Sequence, residues 1–172
     1  MTSDEGFTEA VMAHLDMLYN LARRMSSSRE EAEDLVQDTC VRALSAWRRR
    51  TRPDHMGPWL ATICLNAARS GRKRAATRLE IPDPDPGQST PSSQDTEEQA
   101  LAGVDRTAIR EAIARLPVEQ REAITLMDMC GFTASRAAEI LGAPRNTVLS
   151  RVHRGRKRLA ALLDEQVGNH DA

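Results

Sequence analysis

Apolar residues recur at helical spacing along most of the chain, and no stretch of four or more residues alternates clearly between apolar and polar. Phe7, Val11, Leu15, Leu18, Leu21/Ala22 and Met25 step by three and four, which predicts a first amphipathic helix. Ser28-Arg29-Glu30-Glu31 matches a capping box, in which serine oxygen and glutamate each satisfy an orphan N–H. The helix it opens would bury Ala32, Leu35, Val36, Cys40, Ala43/Leu44 and Trp47. It would end in Arg48-Arg49-Arg50, beside the negative end of its dipole. Thr51 to Gly57 reads as a loop. Pro58 suits a first helical position, and Trp59/Leu60, Ile63/Cys64 and Ala67/Ala68 form the stripe of a third helix. That stripe gives way to Arg69-Ser70-Gly71-Arg72-Lys73-Arg74.

The pattern fades over residues 81–99, where four prolines and a Ser/Thr/Gln/Asp/Glu-rich stretch leave almost nothing to bury. Such a segment cannot offset its ordering entropy and is expected to be a flexible linker. Helical spacing resumes with Val104, Ala108/Ile109, Ala112/Ile113 and Leu116. Pro117 then starts a helix carrying Ala123/Ile124, Met127 and Cys130, closed by Gly131. Thr133 can cap a short helix with Ala137, Ala138, Ile140 and Leu141 inward, and Gly142 can take a left-handed cap. Ala143-Pro144 turns the chain into a last helix. Helix, tight glycine-containing turn and second helix make a helix-turn-helix unit.

On the last helix Val148, Val152, Gly155, Leu159 and Leu162/Leu163 form the stripe expected to be buried. The opposite face carries Arg145, Asn146, Leu149, Ser150, His153, Arg154 and Lys157, flanked by Arg151, Arg156 and Arg158. Arg and Asn suit bidentate reading of guanine and adenine edges, and the other basic groups suit phosphates. A solvated basic face is the plainer reading of the same helix.

Charge sharpens this division. The net charge is only −1, but residues 1–80 carry net +2, residues 81–108 net −5 and residues 109–172 net +2. Two mildly basic halves flank an acidic strip. The acidic, polar start MTSDEGF lacks a basic n-region and an apolar h-region, so a secretory signal is not expected. The longest nearly apolar run, Trp59 to Leu65, is far short of the roughly 20 residues that span a bilayer. Cys40, Cys64 and Cys130 have neither disulfide-framework nor metal-ligand spacing, which fits a reducing cytoplasm. The histidines are scattered, and no Gly-rich phosphate loop or metal cluster is visible. No catalytic residue, metal or cofactor is therefore expected, and an enzyme is the weakest of the functional readings.

Two blocks carry a family resemblance. Glu31-Ala-Glu-Asp-Leu-Val-Gln-Asp, followed by Trp59-Leu-x-x-Ile-x-x-Asn66-x-Ala68 and the basic tail, resembles region 2 of the extracytoplasmic-function (ECF) sigma factors. Leu116-Pro-x-x-x-Arg121-Glu-Ala, Ala138-Glu-Ile-Leu-Gly and Thr147-Val-x-Ser-Arg-Val-x-Arg-x-Arg-Lys-Arg-Leu159 resemble their region 4. Together they cover nearly all of residues 10–163 in the family order.

The resemblance implies an all-α chain of two small helical domains, over 1–80 and 104–165, joined by an acidic linker over 81–103. It implies core RNA polymerase and promoter DNA as partners, together with an anti-sigma factor, and no membrane insertion. Asp34, Gln37 and Asp38 match the motif that docks on the β′ clamp helices. Asn66, with Arg69, Arg72, Lys73 and Arg74, would meet the −10 element as it opens, although a basic run also suits a helix C-terminus. The Thr51–Gly57 loop corresponds to one that captures a flipped base. Region 4 would sit on the β flap, with Arg145, Asn146, Leu149, Ser150, Arg151, His153, Arg154 and Lys157 on the −35 element. The acidic linker would thread the RNA-exit path, or serve merely as a solubilising spacer.

Two positions depart from the family pattern. Leu149 stands where many relatives carry Lys or Arg, and could touch a thymine methyl instead. Arg136 occupies the place of the glutamate that would complete a capping box after Thr133. A helix-turn-helix regulator acting apart from polymerase is the competing reading, but it needs a ligand pocket or dimerisation helix in residues 1–80.

Overall fold

The computed structural model describes residues 3–49, 51–80 and 106–170, and among these there is helix and turn but no strand. The chain divides into two compact units, Met1–Pro91 and Ser92–Ala172. The linker expected over 81–103 and the apolar position Val104 lie outside the described residues.

The first unit contains α1 (Ser3–Met12), α2 (Leu15–Met25), α3 (Arg29–Arg48) and α4 (Met56–Glu80). Helices α2, α3 and α4 pack on one another, with Leu18, Leu21, Leu60 and Leu65 fully buried. Each such leucine contributes about 1.5–3 kcal/mol of burial free energy. The single helix expected from Phe7 to Met25 is in fact two. His14 leaves helical geometry at φ −115° and ψ 7°, with its Nδ1 2.9 Å from the carbonyl of Ala10. The break lays α1 against α3, where Phe7 and Val11 join Ala43 and Leu60 in one apolar cluster. The apolar repeat crosses the break in phase, so periodicity could not reveal it.

Ser28 caps α3 as expected, accepting from the Glu31 N–H at 3.1 Å. The returning bond differs from a capping box, because Glu31 accepts from the N–H of Ser27, one residue earlier. The wholly buried Thr39, unforeseen in the apolar stripe, donates its hydroxyl to the Leu35 carbonyl at 2.7 Å.

Helix α4 starts two residues before Pro58 and runs on to Glu80. Pro58 thus stays within the first turn, where its missing N–H removes no intrahelical bond. The basic run Arg69–Arg74 lies inside the helix, so stabilisation of a C-terminal dipole does not explain it.

The second unit contains α5 (Arg106–Ala114), α6 (Val118–Ile124), α7 (Ala134–Leu141) and α8 (Arg145–His170). Helix α6 does not continue regularly to Cys130, as its sequence predicts. It widens into a π-helical turn over Thr125–Met129, where the Cys130 N–H reaches the Thr125 carbonyl at 2.9 Å. The widened turn ends at Gly131, whose φ of 74° lies in the left-handed region.

Candidate nucleic-acid interface

The helix-turn-helix is fixed at both ends of α7. Thr133 caps it by accepting from the Arg136 N–H at 3.2 Å. Arg136, which stands where a capping-box glutamate would be, forms a 2.6 Å ion pair with Glu139 instead. Gly142 closes the helix at φ 62° and ψ 38°, a conformation glycine adopts without penalty.

Helix α8 is held from behind by buried Val148, Val152, Gly155 and Leu162, with Leu159 and Leu163 half-buried. Gly155 lies at the tightest approach, facing Ile124 and Gln120 of α6. This packing leaves Arg145, Asn146, Leu149, Ser150, His153, Arg154 and Lys157 exposed, while Arg151 is half-buried. The apolar Leu149 retains 36% of its surface exposed in the middle of that face. Arg156 is engaged elsewhere: its Nε donates to Asp128 Oδ2 at 2.9 Å, and Nη2 makes a second bond to the same carboxylate. Sequence could not reveal this partner, since Asp128 lies 28 residues away on the π turn.

On α4, Asn66, Arg69 and Lys73 share one side through i, i+3 and i+7 spacing. Asn66, Lys73 and Arg74 are exposed, whereas Arg69 and Arg72 are half-buried. Arg72 follows Arg69 at the same i+3 spacing and Arg74 lies on the other flank of Asn66, so the expected −10 group spreads around α4 rather than forming a single stripe. Residues 51–55 form the turn immediately before α4.

Helix α3 presents Asp34, Gln37, Asp38 and Val41 at i, i+3, i+4 and i+7. Asp38 is already ordered, because Arg42 Nε lies 2.9 Å from both of its carboxylate oxygens. Val41 is 64% exposed, an apolar member of this acidic face that the sequence reading passed over. Its signal was the helical spacing from Asp34.

Burial raises the Cys40 thiol pKa and pushes that of Cys130 up to about 11. Both are held as neutral thiols near neutrality. Among the described residues, no group of three or more His, Cys, Asp or Glu could hold a metal ion, and no helix is long and apolar enough to cross a membrane.

Residues 10–78 match the Sigma-70 region 2 family, and residues 106–159 match Sigma-70, region 4. The chain is 34% identical over 164 residues to the ECF RNA polymerase sigma factor EcfG of Rhodopseudomonas palustris, covering 95% of this chain and 88% of that protein. It is 33% identical to the ECF RNA polymerase sigma factor SigM of Mycobacterium tuberculosis, covering 91% of this chain and 76% of that one. The sigma factor RpoE from Bartonella quintana, solved in complex with the anti-sigma factor NepR, aligns with a TM-score of 0.79 and 29% identity. That alignment covers 93% of this chain and 98% of the solved one. With both regions present in order and relatives matched along most of their length, the chain belongs to the ECF RNA polymerase sigma factors.

Proposed function

We propose that the two units divide promoter recognition, the second reading the −35 element as duplex and the first opening the −10 element. The observation that carries this reading is the exposed polar face of α8, fixed by apolar packing on its other side. Arg145, Asn146, Ser150 and Arg154 would enter the major groove, where a good bidentate contact is worth about 1–3 kcal/mol. Leu149 would offer apolar contact to a thymine methyl, and His153, Arg151 and Lys157 would meet the backbone. Arg156 is assigned to holding α8, because its guanidinium is already committed to Asp128.

Asn66 would meet an unstacked base of the −10 element, with Arg69, Arg72, Lys73 and Arg74 on nearby phosphates. The 51–55 loop, with Met56 and Gly57 in the first turn of α4, would hold the flipped base. Asp34, Gln37 and Asp38 would dock on the β′ clamp helices of core polymerase, with the second unit on the β flap. The chain would act in the cytoplasm by binding rather than by catalysis. Resemblance to a sigma factor solved with NepR supports an anti-sigma partner that masks these surfaces.

Open-complex formation on duplex and pre-melted promoters tests the division of labour. Asn66→Ala is expected to slow opening while leaving −35 binding intact, and a −10 bubble should rescue much of the loss. No rescue, or loss of binding to core polymerase itself, would remove α4 from promoter melting.

A further inference from the structure

The loop before α4 is short of regular hydrogen bonds, yet four linked contacts hold its first half. The Arg52 guanidinium carbon lies 3.9 Å from the centre of the Trp47 ring, a cation–π stack. The same guanidinium donates through Nη1 to the carbonyls of Trp47 at 2.6 Å and Thr51 at 3.2 Å. The Thr51 N–H reaches back to the Ala46 carbonyl at 3.1 Å. Trp47 is itself braced from α1, since its ring centre lies 5.6 Å from that of buried Phe7 in a tilted pair. One residue on, Arg48 Nη2 forms a 2.7 Å ion pair with Asp4 Oδ2.

The chain of contact thus runs from α1 through the end of α3 to the loop. We infer that Arg52 is a positioning residue, and that α1, through Phe7 and Trp47, sets the shape of the loop that receives the flipped −10 base. This rests on the reading of that loop given above. Arg52 is exposed, so a direct phosphate contact is its obvious competing role. Chemistry separates the two. A phosphate contact needs only the charge, which lysine keeps. The observed arrangement needs a broad planar cation whose central carbon covers the indole while one outlying nitrogen bonds two carbonyls, and the compact ammonium of lysine cannot do both at once.

The test measures the affinity of the holoenzyme for a single-stranded oligonucleotide carrying the −10 element of a promoter it transcribes. Arg52→Lys and Arg52→Ala should each weaken binding roughly 3- to 10-fold. Phe7→Leu should weaken it in the same direction, although Phe7 lies in the core, and Asp4→Ala should do so from the surface. The Phe7→Leu/Arg52→Lys pair should lose less than the product of the single losses, because both act through Trp47. Duplex −35 binding and affinity for core polymerase should not change. Wild-type affinity in Arg52→Lys with a loss in Arg52→Ala would overturn the inference and make Arg52 a phosphate ligand. So would fully independent effects of Phe7 and Arg52. Asp54→Ala and His55→Ala, exposed in the loop, separate the underlying reading. If they alone weaken binding, the loop meets DNA but is not positioned by Arg52. If none of these variants changes binding, the loop reading fails and the inference with it.

Discussion

Replacing Gly155 with alanine sets two effects of known size against each other. In an exposed helix interior, Gly→Ala favours the helix by about 1 kcal/mol. Here the new Cβ would lie 2.5 Å from Ile124 Cδ1, and 3.3 Å from both Gln120 Cβ and Ile124 Cγ1. The Cδ1 methyl is a side-chain end and could swing away in a loose site. Ile124, however, is only 2% exposed and packs among Ala112, Leu116 and Leu162, so the swing has little room. The two 3.3 Å contacts involve atoms close to the α6 backbone, and relieving them means parting the helices. Overpacking of this kind costs about 1–3 kcal/mol, which exceeds the propensity gain. A net loss of about 1 kcal/mol is expected, lowering the melting temperature of a unit this size by about 4–8 °C. Thermal unfolding followed by circular dichroism measures it. Ile124→Val, which deletes Cδ1, should restore part of the loss when combined with Gly155→Ala, despite its own cost of about 0.5–1.5 kcal/mol. A melting temperature raised by Gly155→Ala, as at a solvated helix position, would refute the close packing of α8 on α6.

Asp128→Ala should cost less than about 1 kcal/mol of stability, because the pair with Arg156 is substantially exposed. Electrophoretic mobility shifts should show weaker −35 binding with unchanged base preference, whereas altered preference at one position would make Arg156 a reader of bases. Arg145→Ala and Asn146→Ala should each relax preference at individual −35 positions by about 1–3 kcal/mol, measured by competition among single-base variants. A uniform loss across all sequences would assign them to phosphates. With its pKa pushed up to about 11, Cys130 is about one part in a thousand thiolate at pH 8. Its alkylation, followed by peptide mass spectrometry, should rise about tenfold per pH unit between pH 7 and 10, and a plateau near pH 8.5 would contradict its burial.

What the sequence made legible was the part that repeats locally. Val148, Val152 and Gly155 recur at helical spacing, so the buried and exposed faces of α8 could be separated before any tertiary contact was known. Thr133 and Gly142 marked the ends of α7 through cap chemistry that depends on adjacent residues alone. The break at His14 was hidden because Phe7, Val11 and Leu15 keep helical phase across it. The π turn at Thr125–Met129 inserts no breaker residue, and nothing in its local pattern distinguishes it from regular helix. The candidate site divides along the same line. Exposure of Arg145, Asn146 and Asn66 followed from helix periodicity. The engagement of Arg156 by Asp128, the half-burial of Arg72 and the Arg52 stack on Trp47 depend on tertiary geometry.

The most direct test of promoter selection is to sequence the 5′ ends of transcripts made from genomic DNA by core RNA polymerase supplemented with this protein. The expected result is a set of discrete start sites, absent with core polymerase alone, whose upstream DNA shares one element near −35 and another near −10. Substituting Arg145 should change the first element without moving the second. If the protein binds DNA but adds no start sites to those of core polymerase, it does not direct promoter selection.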